Sequence, residues 1–113
     1  MDERVATKLK KLEEEAMEFP NRGCVGRAEK LLDFIRQEGY DCEARIAYVK
    51  PKRWWNTLYF KKLEIAWTHH CVVLWNGEVL DPSVGFPVPS DDYLSSFYGK
   101  SLRSPLPRFS DTF

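Results

Sequence analysis

Three side chains of this chain, Cys24, His70 and Asp81, are of the types that together attack a carbonyl. A thiol is nucleophilic as its thiolate, an imidazole can take the proton, and a carboxylate fixes the tautomer of the imidazole. Cys24 closes the run Asn21-Arg22-Gly23-Cys24, where an amphipathic segment begins. His70 opens the apolar run His70-Cys71-Val72-Val73-Leu74-Trp75, and Asp81 ends Glu78-Val79-Leu80-Asp81. The chemistry would be acyl transfer through a thioester, with Cys24 as nucleophile, His70 as general base and then acid, and Asp81 as its orienter. The residues alone equally allow Cys24 as a core residue and Asp81-Pro82-Ser83 as a plain turn.

Rigid elements must position these groups. Residues 2–18 are predicted to form a helix that Pro20 stops, with Val5, Leu9, Leu12, Ala16 and Phe19 recurring at three- and four-residue steps. A second helix is predicted over 23–38, with Cys24, Ala28, Leu31, Leu32 and Ile35 as its apolar stripe, Arg27 off it, and Gly39 as its cap. The thiol then sits where the buried stripe meets the helix N-terminus, whose backbone N–H groups favour a thiolate and can hold an oxyanion. From Ala44 the period changes to two, with Ala44, Ile46 and Tyr48 on one face of a strand. The segment 54–62 reads as an exposed loop or a bent hairpin, and 63–75 as one long strand or two. Pro82, Pro87 and Pro89 predict an irregular path, Ser90-Asp91-Asp92 the N-cap of a short helix through Phe97, and 100–113 an extended tail.

Strand geometry chooses between His69 and His70. A two-residue Asn76-Gly77 loop pairs Trp75 with Glu78, Leu74 with Val79, Val73 with Leu80 and Val72 with Asp81. Opposite residues share a sheet face, as do alternate residues along a strand, so His70 and Asp81 share one. His69 points to the other face with Cys71. A bulge or a longer loop would reverse this parity.

The 113 residues suit one domain, with 1–20 as an N-terminal helix, 21–99 as the core and 100–113 as the tail. Seventeen basic and seventeen acidic residues cancel, which argues against nucleic acid as a partner. No apolar run approaches the roughly 20 residues of a membrane helix, and no signal-peptide core is seen, so a cytosol-like setting is expected. Three cysteines argue against a disulfide framework. Cys24, Cys42, His69, His70 and Cys71 lack the spacing of a zinc site, so no metal is expected, and Cys42 and Cys71 read as small core residues.

The order of these motifs resembles the transglutaminase-like branch of the papain-like fold. The similarity runs over 21–85 through Gly23-Cys24, Ala28, Leu31-Leu32, Arg36, Gly39-Tyr40, Arg45-Ile46, His70-Cys71-Val72-Val73 and Val79-Leu80-Asp81-Pro82-Ser83. Arg22-Gly23 before the thiol is similar to the arylamine acetyltransferase pattern. The resemblance implies an α+β domain, with N-terminal helices packed on a small antiparallel sheet and a Cys24–His70–Asp81 triad. It implies a protease, deamidase or transglutaminase chemistry on a protein or peptide amide, with no organic cofactor. Glu18 stands six places before Cys24, where papain has a glutamine that serves the oxyanion. Trp54, Trp55 and Arg22 are the expected substrate-binding residues. The competing reading is a binding module on the same fold that recognises a protein partner through 54–62, about half of whose aromatics are expected in the core.

Overall fold

The computed structural model describes residues 3–19, 23–39, 43–52, 57–98 and 107–111. Two amphipathic helices open the chain, α1 at Glu3–Glu18 and α2 at Cys24–Gln37. Val5, Leu9, Leu12 and Ala16 of α1 and Ala28, Leu31, Leu32 and Ile35 of α2 are buried, as helical spacing of apolar residues requires. Strands β1 (Arg45–Lys50), β2 (Leu58–Phe60), β3 (Ile65–Trp67), β4 (His70–Trp75), β5 (Glu78–Leu80) and β6 (Pro87–Pro89) follow, then α3 (Ser90–Phe97) and β7 (Arg108–Ser110). Five of the strands form an antiparallel sheet in the order β6-β5-β4-β1-β7, and β2 and β3 pair apart from it. The described chain is thus α+β.

The β4–β5 hairpin carries two members of the candidate triad. Asn76 and Gly77 both adopt positive φ, 53° and 74°, the turn whose twist matches that of the flanking strands. Trp75 pairs with Glu78, Leu74 with Val79 and Val73 with Leu80. The expected register is the observed one over these three pairs.

Strand alternation divides the core in two. Cys71, Val73, Trp75 and Leu80 pack with α1 and α2, joined by Ile46 and Tyr48. Val72, Val79, Ala47 and Val49 pack with Leu58, Phe60, Tyr93 and Tyr98 on the opposite face. β1 therefore buries both faces rather than the single face its alternation suggests. In 54–62, Phe60 is fully buried and Tyr59 is exposed.

Three expectations need correction. Arg27, placed off the apolar stripe of α2, is buried. Ser90 is the first residue of α3 rather than its cap; Pro89 holds that place with no side-chain cap. Pro87–Pro89 is no irregular path but edge strand β6 on β5. An edge strand tolerates proline because half of its N–H groups face away from the sheet. In the tail, Arg108–Ser110 closes the other edge on β1. Among the described residues no helix is long and apolar enough to cross a membrane.

Candidate functional site

Asp81 follows β5 directly and is held by the turn it starts. Its backbone carbonyl accepts from the N–H groups of Val84 at 2.8 Å and Gly85 at 3.1 Å. Lys62 ties this turn from outside, donating to the carbonyls of Ser83 at 3.1 Å and Val84 at 3.0 Å while pairing with Glu13 of α1. The carboxylate is fully buried. Oδ1 accepts from His70 Nε2 at 2.9 Å and from the Ser83 N–H at 2.8 Å, and Oδ2 accepts from the Tyr93 hydroxyl at 2.5 Å. Tyr93 in turn lies 3.2 Å from the Tyr98 hydroxyl. Each carboxylate oxygen is thereby fixed, and Asp81 cannot turn away from the imidazole.

His70 is 2% exposed and lies in an aromatic slot. Trp67 stacks on its ring at 4.1 Å between centroids with 9° between planes, and Phe60 stands 6.1 Å away. An indole face against an imidazole favours the cationic ring. Because Nε2 is committed to Asp81, the ring has only Nδ1 to offer another group. Nδ1 is buried without a hydrogen bond of ordinary geometry. The Cys24 thiol interacts with the ring, a looser contact than the bond to Asp81. His69 is half-exposed, with its Nδ1 3.2 Å from the Thr68 hydroxyl. It is His70, not its neighbour, that meets Asp81.

Cys24 begins α2, half-buried against the helix side of the core. Burial alone would push its thiol up. Hydrogen bonding and charge from His70 outweigh that, the Arg27 guanidinium and the Cys71 backbone N–H add to it, and the thiol falls below its ordinary 9.0. Burial would likewise depress His70, but the charge and hydrogen bond of Asp81, then the thiol, carry it from 6.5 up to about 9. Asp81 resists burial in the same way: His70, Tyr93 and the Ser83 N–H hold its carboxyl below 3.8. Cys71 has no such help, and burial drives its thiol up to about 12. The arrangement favours a thiolate–imidazolium pair at Cys24 and His70 and leaves Cys71 inert.

These shifts set a pH window for stability. The His70 value lies above its unfolded 6.5, so its contribution is complete below 6.5 and lost as pH rises toward about 9. The Asp81 value lies below its unfolded 3.8, so its contribution is present above 3.8 and lost as pH falls through the lowered value. Thermal melts from pH 5 to 10 should therefore show an alkaline loss of stability in the wild type that is much smaller in His70→Gln. Parallel curves for the two proteins would contradict it.

Of the expected substrate-binding residues, Trp54, Trp55 and Arg22 lie outside the described residues, as does Cys42. Among the described residues, no group of three His, Cys, Asp or Glu side chains is arranged to hold a metal ion. Sequence reasoning missed Trp67, Tyr93, Tyr98 and Arg27. For Arg27 a signal existed: it lies three residues after Cys24 and four before Leu31, on the buried side by helical spacing. No local signal marks the other three, since their partners come from distant elements.

Compared with protein-family models, curated proteins and solved structures, the chain matches none.

Proposed function

We propose that the chain is a thiol-dependent acyl-transfer enzyme or amide hydrolase, of protease, deamidase or transglutaminase type, working on a protein or peptide amide. The supporting observation is a buried His70–Asp81 pair, joined at 2.9 Å, whose remaining side interacts with a depressed thiol at a helix N-terminus. The Cys24 thiolate attacks the amide carbonyl, and the Cys24 backbone N–H at the start of α2 receives the oxyanion. The His70 imidazolium gives its Nδ1 proton to the leaving nitrogen as the C–N bond breaks, leaving a thioester on Cys24. His70, now neutral, takes a proton from water or an acceptor amine, which attacks the thioester and restores the thiol. Asp81 stays ionised throughout and keeps Nε2 protonated. No organic cofactor enters this sequence.

Kinship with transglutaminase-like, papain-like enzymes is part of the proposal and rests on the order of motifs over 21–85. A reducing, cytosol-like setting belongs to it as well, since Cys24 and Cys71 are free thiols.

The test is a panel of peptide amides and a thiol-directed covalent probe, applied to the wild type and to Cys24→Ser. The wild type should take the probe at Cys24 and release ammonia, amine or cleaved peptide, and the variant should do neither. Alkylation near pH 6–7 followed by peptide mapping should label Cys24 far ahead of Cys71, because only the former has appreciable thiolate there. A Cys24 no more reactive than a model thiol would remove the nucleophile, and a binding module on the same fold would take its place.

A further inference from the structure

Among the described residues, four charged side chains are buried: Glu13, Arg27, His70 and Asp81. Glu13 is paired with Lys10 and Lys62, and His70 with Asp81. Arg27, 2% exposed, forms no ion pair or hydrogen bond through its side chain among the described residues, and its Nε has no acceptor. The Cys24 thiolate faces its charge but takes no hydrogen bond from it, and burying guanidinium donors without an acceptor opposes folding, so these donors call for an acceptor that the described fold does not supply.

Its place identifies that group. Arg27 Nη1 lies 3.0 Å, and Cζ 3.7 Å, from where a Cβ on Gly23 would stand, so the guanidinium rests against the N-cap of α2. Gly23 has φ 83°, leaves that space open, and caps the helix with no side chain; the first turn holds no acidic residue. The N–H groups of Cys24, Val25 and Gly26 have no carbonyl within the helix to donate to. Buried guanidinium and helix N-terminus thus present positive charge to the same spot, next to the thiol.

We propose that Arg27 and the free N–H groups of Val25 and Gly26, one step along the turn from the Cys24 N–H, form an anion-binding subsite beside Cys24 that takes a carboxylate of the acyl substrate. The preferred substrate then carries a free C-terminus or an acidic side chain next to the reacting amide. A single guanidinium, its charge already facing the Cys24 thiolate, matches a monoanion better than a phosphate dianion. A guanidinium also offers two parallel N–H donors to a carboxylate. The substrate assignment rests on Cys24 being the nucleophile proposed above; the anion site itself does not.

The experiment compares the rates at which iodoacetate and iodoacetamide alkylate Cys24 in the full chain at low salt. Thiolate fraction affects both reagents alike and cancels in their ratio, and the Arg27 variants separate the guanidinium from the His70 imidazolium, whose charge also draws iodoacetate. It should exceed the ratio for N-acetylcysteine by about tenfold, as a charge-assisted contact of modest strength gives. It should drop several-fold in Arg27→Met and stay at the wild-type level in Arg27→Lys. Glutarate should slow iodoacetamide labelling of the wild type where glutaramide does not, which keeps the test open should Arg27→Met fail to fold. A wild-type ratio at the reference value, or a ratio undiminished in folded Arg27→Met, overturns the subsite.

Peptide amides with a free C-terminus, an adjacent aspartate or neither then assign the source of the carboxylate. A lower KM for either acidic class supports the substrate assignment, and equal KM across the three overturns it. A raised alkylation ratio without any amide turnover would sink the catalytic proposal and leave the anion site standing. Turnover indifferent to carboxylate, with the ratio at reference, would do the reverse.

Discussion

His70→Ala is expected to lower thiol-dependent turnover by about four orders of magnitude, while His69→Ala keeps a substantial fraction of it. His70 acts in both half-reactions, first as the acid for the leaving nitrogen and then as the base for the acceptor. Its removal also takes away the largest influence favouring the Cys24 thiolate, so alkylation of Cys24 near neutral pH should slow in parallel. His69 stands beside Thr68 at the margin of β4, whereas the hydrogen bond to Asp81 comes from His70. Steady-state rates and Cys24 labelling, measured on the same preparations, check both halves. Comparable losses in the two variants would mean that the buried imidazole is structural.

Asp81→Ala should be the most destabilising single change at the site, by about 3–5 kcal/mol, because it strips a buried ion of its partner. At this chain length that is a fall of about 10–20 °C in Tm. The carboxylate accepts three hydrogen bonds, from His70, Ser83 and Tyr93; alanine leaves the His70 and Ser83 donors buried without that acceptor, and Tyr93 with only the Tyr98 hydroxyl. Asp81→Asn separates charge from shape. The amide oxygen can still accept from His70, and the Tyr93 hydroxyl can turn to accept from the new NH₂ group, so the loss of stability should be smaller. The imidazole, freed of its anion, should titrate well below the value of about 9 it has beside Asp81. The alkaline limb of activity, set by loss of the imidazolium, should move down with it. An NMR titration of the His70 ring and a pH–rate profile give the two readouts, and an unmoved ring titration in a folded Asp81→Asn protein would refute the electrostatic role.

Much of this site follows from short-range rules. The Asn76-Gly77 turn dictates the β4–β5 register, and parity along two strands then brings His70, rather than His69, onto the face of Asp81. The apolar stripe of α2 and its start at Cys24 follow from helical spacing. The prolines of β6 misled for a general reason: whether an extended proline segment pairs depends on whether it lies at a sheet edge, and sheet order is a long-range property. The strand in the tail has the same origin, since Arg108–Ser110 reads as plain extended chain until β1 offers it an edge.

The sequence by itself determined the helix that presents Cys24, the hairpin that joins His70 to Asp81, and the histidine that does the joining. Spacing along one or two adjacent elements specifies all three. Only the tertiary structure decided what surrounds them. It laid Trp67 on the imidazole and brought Tyr93 to the second oxygen of Asp81, and it buried Arg27 beside the thiol. Those contacts join side chains on elements far apart in the chain, or weigh a residue's charge against its position on a helix. Local periodicity records neither: the packing of α2 against the sheet, and of α3 and β3 across its other face, sets which polar groups lose water and which partners they then find.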